Sequence, residues 1–330
     1  MKVIKYIKIF CFLLFFVACK KENVSQDYTL KGFVFGTTYK ITYLNAEKNY
    51  TPEIEALFQK INKSLSTYLP NSDISKINNQ HKNIKVDDYF IEVFEKSKRI
   101  FKETNGYFDP TVGNLVNAYG FGPKKEMNNL TQQEVQKQMQ WVGFNKVAIK
   151  NKFIVKELPE IYLDFNSIAK GFGVDVISRF LESKKLNNYL VEIGGEIRTK
   201  GFKKNKKPWL IKLVDPVKAI DNSGFKKINL SNKSMATSGN YRKFRLTKEG
   251  VKYVHTINPK TGLALESNLL SASVISNLDC ADSDAYATAF MAMGLEKSKN
   301  FLQKKTNLQV ILIYIDKKGN LAEFTNYTHD

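Results

Sequence analysis

An acid and a hydroxyl four residues apart are the first groups in this chain that could do chemistry. Asp284 and Thr288 fall inside a helix-like run from Asp279 to Met293, so one helical turn separates them and they share a face. A carboxylate and a hydroxyl on one face make a hard-oxygen site suited to magnesium. Asp282 adds an acid nearby, and both acids also suit the positive start of a helix dipole, so a metal pair and an ordinary helix start stay open on these residues alone. For Asp282 itself a capping role is the expectation. A second chemical stretch runs Leu163-Asp-Phe-Asn-Ser-Ile-Ala-Lys-Gly-Phe-Gly-Val-Asp175. Here a strand-like run, Ile161 to Leu163, passes into a helix-like pattern with Val174, Ile177, Phe180 and Leu181. Asn166 or Ser167 is placed to cap that helix, whose free first-turn amides attract an anion. Lys170 adds a positive charge, and Gly171 and Gly173 let a ligand or a neighbouring backbone come close. A buried capped helix with a snorkelling lysine accounts for the same residues.

Other stretches hold polar groups that a plain core does not need. Ser66-Thr-Tyr68 stands before a turn and a Ser72-Asp73 cap. Gly106-Tyr-Phe-Asp109-Pro-Thr111-Val-Gly113 places an aspartate in a proline turn, and Tyr119-Gly-Phe-Gly122 follows as a glycine-aromatic loop. Met235-Ala-Thr-Ser-Gly-Asn-Tyr241 precedes His255-Thr-Ile-Asn-Pro-Lys-Thr-Gly262, which puts a histidine in a strand-end loop. Tyr68, Tyr241 and His255 would equally serve as ordinary turn residues, while His81 and His329 read as surface groups. With three histidines and no histidine-cysteine cluster, zinc is not expected. Neither a Walker-type nor a Rossmann glycine fingerprint is present.

These groups need elements to position them. Phe33 to Leu44 reads as strands around Gly36-Thr-Thr38. Thr51 to Ser66 reads as a helix with threonine as its cap and proline at its first position. Asp87 to Thr104 is a second helix, stopped by Asn105-Gly106, and Thr131 to Gln140 a third. Strands are expected over Lys146 to Leu163, Leu190 to Lys200, Trp209 to Val214, Phe225 to Leu230, Tyr253 to Ile257 and Ser271 to Ile275. A helix near Glu296 and a last strand, Val310 to Ile315, follow. This mixed order argues an α+β (mixed α/β) fold rather than a bundle or a sandwich. No proline-rich or serine-rich linker divides residues 30–330, so they read as one domain.

Residues 1–18 read as a lipoprotein signal peptide. Lys2, Lys5 and Lys8 precede the apolar run Ile9 to Val17, too short to span a bilayer, and Ala18 stands before Cys19. Cleavage there would leave a lipidated Cys19 and a polar tether over residues 19–29 on an exported protein, at the periplasmic face of the inner or outer membrane. Removing residues 1–18 takes away three lysines and no acid, so the formal charge falls from +19 to +16. Excess lysine suits nucleic acid, an anionic membrane or an anionic small ligand, and export argues against nucleic acid. Lys203-Lys-Asn-Lys-Lys207 reads as an exposed hairpin tip. Only Cys280 remains once Cys11 and Cys19 are set aside, so no intrachain disulfide is available to the folded part.

Taken in order, Phe35-Gly-Thr-Thr, Ser66-Thr-Tyr, Phe108-Asp-Pro-Thr-Val-Gly, the Leu163 to Gly171 stretch, Val191-Glu-Ile-Gly-Gly-Glu196, Met235-Ala-Thr-Ser-Gly-Asn-Tyr, His255-Thr-Ile-Asn-Pro-Lys-Thr-Gly and Asp284-Ala-Tyr-Ala-Thr resemble the ApbE family of FAD:protein FMN transferases. The resemblance covers roughly residues 30–315. It implies a single ApbE-like domain with mixed sheets, flanking helices and an FAD cleft between two lobes. It also implies magnesium-dependent transfer of FMN from FAD to a Thr or Ser of an acceptor flavoprotein, such as a subunit of an ion-pumping redox complex, with release of AMP. By motif position, Asp284, Thr288 and the Ser167 carbonyl would hold Mg2+. Asp164 and Lys170 would contact FAD, Phe35 and Tyr68 would pack against it, Asp109-Pro110-Thr111 would line the cleft, and Ile257 would give a backbone contact. His255 is the candidate catalytic base. A magnesium-dependent FAD pyrophosphatase and a non-catalytic FAD-binding lipoprotein are the alternatives.

Overall fold

The structure is a computed structural model that describes residues 25–126, 130–214, 224–240, 244–246, 252–264 and 267–328. Residues 1–18, Cys19, Tyr241 and His329 lie outside the described residues. In chain order the strands are β1 (Gln26–Val34), β2 (Thr37–Ala46), β3 (Val147–Lys150), β4 (Phe153–Lys156), β5 (Tyr189–Ile193), β6 (Glu196–Lys200), β7 (Trp209–Val214), β8 (Gly224–Leu230), β9 (Ser234–Gly239), β10 (Phe244–Leu246), β11 (Lys252–Val254), β12 (Leu269–Ser276), β13 (Leu308–Ile315) and β14 (Leu321–Thr325). The helices are α1 (Thr51–Leu65), α2 (Asp73–Asn78), α3 (Asp88–Glu103), α4 (Gly113–Ala118), α5 (Gln132–Met139), α6 (Ala169–Ser183), α7 (Cys280–Met293) and α8 (Leu295–Leu302).

Eight strands form one sheet in the order β1-β2-β5-β6-β9-β12-β13-β14. Every strand pair in it is antiparallel. The fold is therefore α+β, as expected, but the sheet is not of mixed direction. The parallel pairing among the described residues is the isolated bridge of Val112 with Tyr162.

Alternation fixes which side of the sheet is covered. Tyr39, Ile41 and Tyr43 of β2 point inward and pack with Ile54 and Phe58 of α1 and Val174, Ile177 and Leu181 of α6. On the other face, Ile197, Ile275 and Ile311 meet Ile211 and Ile228 of the β7–β8 hairpin. Between α3, α6 and the sheet runs α7, buried along most of its length. Small residues make that burial feasible, with Ala281, Ala285, Ala287 and Ala289 all fully buried. Leu115 and Tyr119 on one side pack with Val135 of α5, Ile257 and Ala264 as a smaller separate cluster.

Several local expectations change. Tyr50, not Thr51, occupies the cap position of α1, and it makes no side-chain cap bond. The side chain of Asn49 does that work, accepting from the Thr51 amide at 2.8 Å. Ser72 does cap α2, and Thr131 heads a full capping box on α5. Asn105 and Gly106 stop α3 with φ of 49° and 73°, in the left-handed region. The strand expected over 253–257 ends at Val254, and α2, α4, β9 and β14 are additional to the sequence reading.

Candidate active site

The site begins where two helices touch. A Cβ on Gly171 would lie 2.5 Å from the Cys280 carbonyl oxygen, so only glycine lets α6 approach the start of α7. That approach places the Gly171 amide on Asp284, donating to Oδ2 at 3.1 Å. Gly171 is the third residue of α6, so its amide has no acceptor within the helix and takes Asp284 instead. Lys170 lies 3.7 Å from Asp284 Oδ2 and 3.0 Å from Glu196 Oε1. Glu196 heads β6 after the Gly194-Gly195 turn, whose φ values of 67° and 106° favour glycine. Asp284 and Glu196 are each 2 % exposed. Glu196 Oε2 is buried and accepts no hydrogen bond. Burial pushes the Glu196 carboxyl up to about 8, against the pull of the Lys170 ammonium. Burial also raises Asp284, while Asp284 and Glu196 together overcome desolvation and hold Lys170 above its ordinary value. Thr288 completes this face, with Oγ1 3.2 Å from Ser238 Oγ of β9.

The expected cap of α6 takes another form. Ile168 holds the cap position without a side-chain bond, so neither Asn166 nor Ser167 caps the helix. Instead the Asn166 amide donates to Asp164 Oδ1 at 2.8 Å, and its side chain reaches Thr67 Oγ1 at 3.3 Å.

A second wall is built around that loop. The hydroxyls of Ser72, the cap of α2, and of Ser75 within it donate to the Ser66 carbonyl at 2.6 and 3.2 Å, fixing the loop that presents Tyr68. Tyr68 is 56 % exposed, and its hydroxyl donates to the Phe121 carbonyl at 3.3 Å. Burial and the Asp164 charge both push the Tyr68 hydroxyl up. The Phe121 ring stands edge-on to the His255 imidazole, centroids 6.4 Å apart. Phe35 occupies the β1–β2 turn with φ of 52°, stacks edge-on to Phe58 at 5.6 Å and covers Gly173 of α6.

The Asp109-Pro110-Thr111 turn is buried. Asp109 Oδ1 accepts from the Thr111 amide at 2.8 Å and hydroxyl at 2.6 Å, and Oδ2 accepts from the Phe144 amide at 3.2 Å. Thr111 Oγ1 in turn accepts from the Gly143 amide at 2.7 Å. Burial pushes the Asp109 carboxyl up to about 6 despite these bonds. The turn acts on the site through its backbone, since the Pro110 carbonyl accepts from the Asp164 amide at 2.8 Å. Ile257 also has a buried side chain, leaving its main chain as the group it can offer.

Residues 35–312 match the model of the ApbE family. The chain belongs to the ApbE family. Among similar curated proteins, the FAD:protein FMN transferase of Haemophilus influenzae is 36% identical over 317 residues, covering 92% of this chain and 90% of that one. That of Vibrio cholerae is 35% identical over 295 residues, covering 86% of each. The solved flavin transferase ApbE from Vibrio cholerae superposes with a TM-score of 0.81 at 32% identity, over 91% of this chain and 97% of that one. The apo flavinyl transferase ApbE of Pseudomonas stutzeri gives the same TM-score at 26% identity, over 91% and 95%.

In this ApbE-family chain the neighbouring acid Asp282 belongs to a different face. Its carboxylate pairs with Arg99 at 2.6 Å and Lys96 at 3.5 Å, toward α3, and does not cap α7. Asp175 of α6 caps α7 instead, accepting from the Cys280 and Ala281 amides at 2.8 Å each. Among the described residues no three His, Cys, Asp or Glu side chains group as a metal cage. A cation here would rest on Asp284 with hydroxyl and carbonyl oxygens, and the Ser167 carbonyl and the Thr288 hydroxyl fit magnesium's preference for such ligands. Glu196 is the site residue that the sequence reading did not assign a role. Its one signal was an acid directly after Gly194-Gly195.

Proposed function

We propose that this chain transfers FMN from FAD to a threonine or serine hydroxyl of an acceptor flavoprotein. The observation that carries the reading is the Asp284–Lys170–Glu196 group at the α6–α7 contact, in a chain of the ApbE family. A pyrophosphate needs positive charge against its oxygens and a fixed nucleophile, because phosphoryl transfer depends chiefly on alignment and charge stabilisation. Lys170 is poised to supply that charge. Asp284, held by the Gly171 amide, together with Thr288 and the Ser167 carbonyl would bind Mg2+, which when bound would neutralise charge developing on the phosphates. Phe35 and Tyr68 would flank the flavin nucleotide, with Asp164 beside them.

His255 would accept the proton of the acceptor hydroxyl as its oxygen bonds to the FMN phosphorus. The pyrophosphate bond then breaks and AMP leaves. The acceptor is a protein with an exposed threonine or serine motif, such as a membrane redox subunit. The leader and Cys19 support a lipid-anchored protein at the periplasmic face.

The test is to incubate the chain with FAD, magnesium and a threonine-bearing acceptor fragment, then measure acceptor mass and released nucleotide. An FMN adduct with AMP, both lost in Asp284→Ala, is expected. Free FMN and AMP without an adduct would make the chain a pyrophosphatase, and no turnover would leave only flavin binding.

A further inference from the structure

The strand register sorts the molecule into two poles. Gly32, Tyr39, Ile193 and Glu196 lie in one row, at the candidate active site. Tyr28, Tyr43, Tyr189 and Lys200 form a row toward the other end, where the described chain enters β1. β1 spans nine residues, about 30 Å of strand.

The far pole is basic. Lys200, Lys203, Lys204, Lys206 and Lys207 stand within eight residues at the end of β6 and just after it. Its exposed turn, Lys203, Lys204, Lys206 and Lys207, follows β6, and Lys184 and Lys185 leave α6 beside it. Gly201 and Phe202 tie the two loops together, because a Cβ on Gly201 would meet Asn188 and the Phe202 amide donates to Asn188 Oδ1 at 3.0 Å. Phe202 is itself 46 % exposed. Of the acids here, Asp27 is taken by Lys204 at 2.8 Å and Glu182 by Lys200 at 3.4 Å, and Glu47 lies in the loop after β2.

That ion pair fixes the basic turn beside the entry of the chain. Cys19 stands seven residues before Gln26 and the apolar run ends nine before it, a reach of at most about 32 Å in either case. We propose that this basic pole is a docking surface for anionic lipid headgroups, which turns the active-site pole away from the bilayer. Lysines and an exposed aromatic suit a negative surface, and the short N-terminal segment presents them to it. The charge of the pole is independent of the anchor, but its proximity to a membrane rests on the anchored reading above.

The experiment places the full chain with vesicles of phosphatidylcholine alone or with added phosphatidylglycerol, then acetylates lysines and reads each by mass. Protection of Lys203, Lys206 and Lys207 on anionic vesicles only is expected, with Lys150 and Lys260 labelled throughout. The protection should vanish near 1 M salt, where the screening length is about 3 Å. Lys203→Glu, Lys206→Glu and Lys207→Glu together should abolish it, each replacement costing about fivefold in anionic binding, with transfer to a soluble acceptor unchanged.

Equal labelling on both vesicle types overturns the proposal. So does protection by nucleic acid or by an acidic soluble protein while anionic vesicles leave the turn labelled. Failure to float with phosphatidylcholine vesicles would count against the anchor alone, and the pole would still be judged on the anionic ones.

Discussion

Lys170 Nζ lies 3.0 Å from Glu196 Oε1, and the other oxygen of that carboxylate is buried without a hydrogen bond. The lysine serves two buried acids at once, so the two partners should respond differently to removal. Lys170→Met strands Asp284 and Glu196 and should cost about 3–5 kcal/mol at neutral pH. Losing the ammonium raises both carboxyl pKa values in the fold, so stability returns as pH falls; urea midpoints at pH 5 and 8 measure this. A variant equally stable at both would show that the carboxylates are not held by Lys170.

Glu196→Gln removes the carboxyl that pairs with Lys170 while Asp284 keeps its lysine. Stability near wild type is expected, with FMN transfer lowered by about tenfold to a hundredfold because Lys170 loses one of the two groups that aim it. Full activity in this variant would reduce Glu196 to a packing residue.

Gly171→Ala tests the helix contact that orients Asp284. The new Cβ meets backbone atoms of Cys280 and Ala281 at 2.5 to 2.8 Å, which cannot swing aside as a side chain would. A loss of about 1–3 kcal/mol is expected by denaturant unfolding, together with weaker magnesium dependence of transfer. Gly173→Ala instead meets the Phe35 ring at 2.6 Å and should raise the KM for FAD more than it lowers kcat.

Asp109 gives a pH signature in stability. Its folded carboxyl is pushed from 3.8 up to about 6, so the fold binds the proton more tightly than the unfolded chain does. The contribution is complete below about pH 4 and is lost as pH rises through 6, amounting to about 3 kcal/mol at most. Asp109→Asn does not titrate there, so its stability relative to wild type should improve from pH 4 to 7. A constant difference would place the Asp109 carboxyl at its ordinary value.

His255→Ala addresses the proposed base. FAD binding should survive, since the FAD contacts assigned here are Phe35, Tyr68, Asp164 and Lys170, while single-turnover transfer should fall by about a hundredfold or more. Wild-type transfer would move the role to a carboxylate.

Local chemistry made much of this legible in advance. Ser72, Thr131, Asn105 and Gly106 act where turn and cap rules place them, and Asp284 and Thr288 share a face because a helix repeats every 3.6 residues. Strands with alternating apolar residues, such as β2, were readable for the same reason. β9 was not, because it carries small polar groups on both faces: Thr237 pairs with Ser273, and Ser238 with Thr288 of α7.

What the tertiary structure alone decided is which polar groups meet across long separations. Asp282 and Asp284 stand two apart on one helix and so face different ways, but only packing shows that α3 takes the first and Lys170 the second. Asp175 caps a helix that begins 105 residues later, and Glu196 reaches a lysine on another element. Sequence order fixes periodicity and local hydrogen bonding. Burial, which gives these carboxylates their partners and their shifted titration, exists only once the chain has folded.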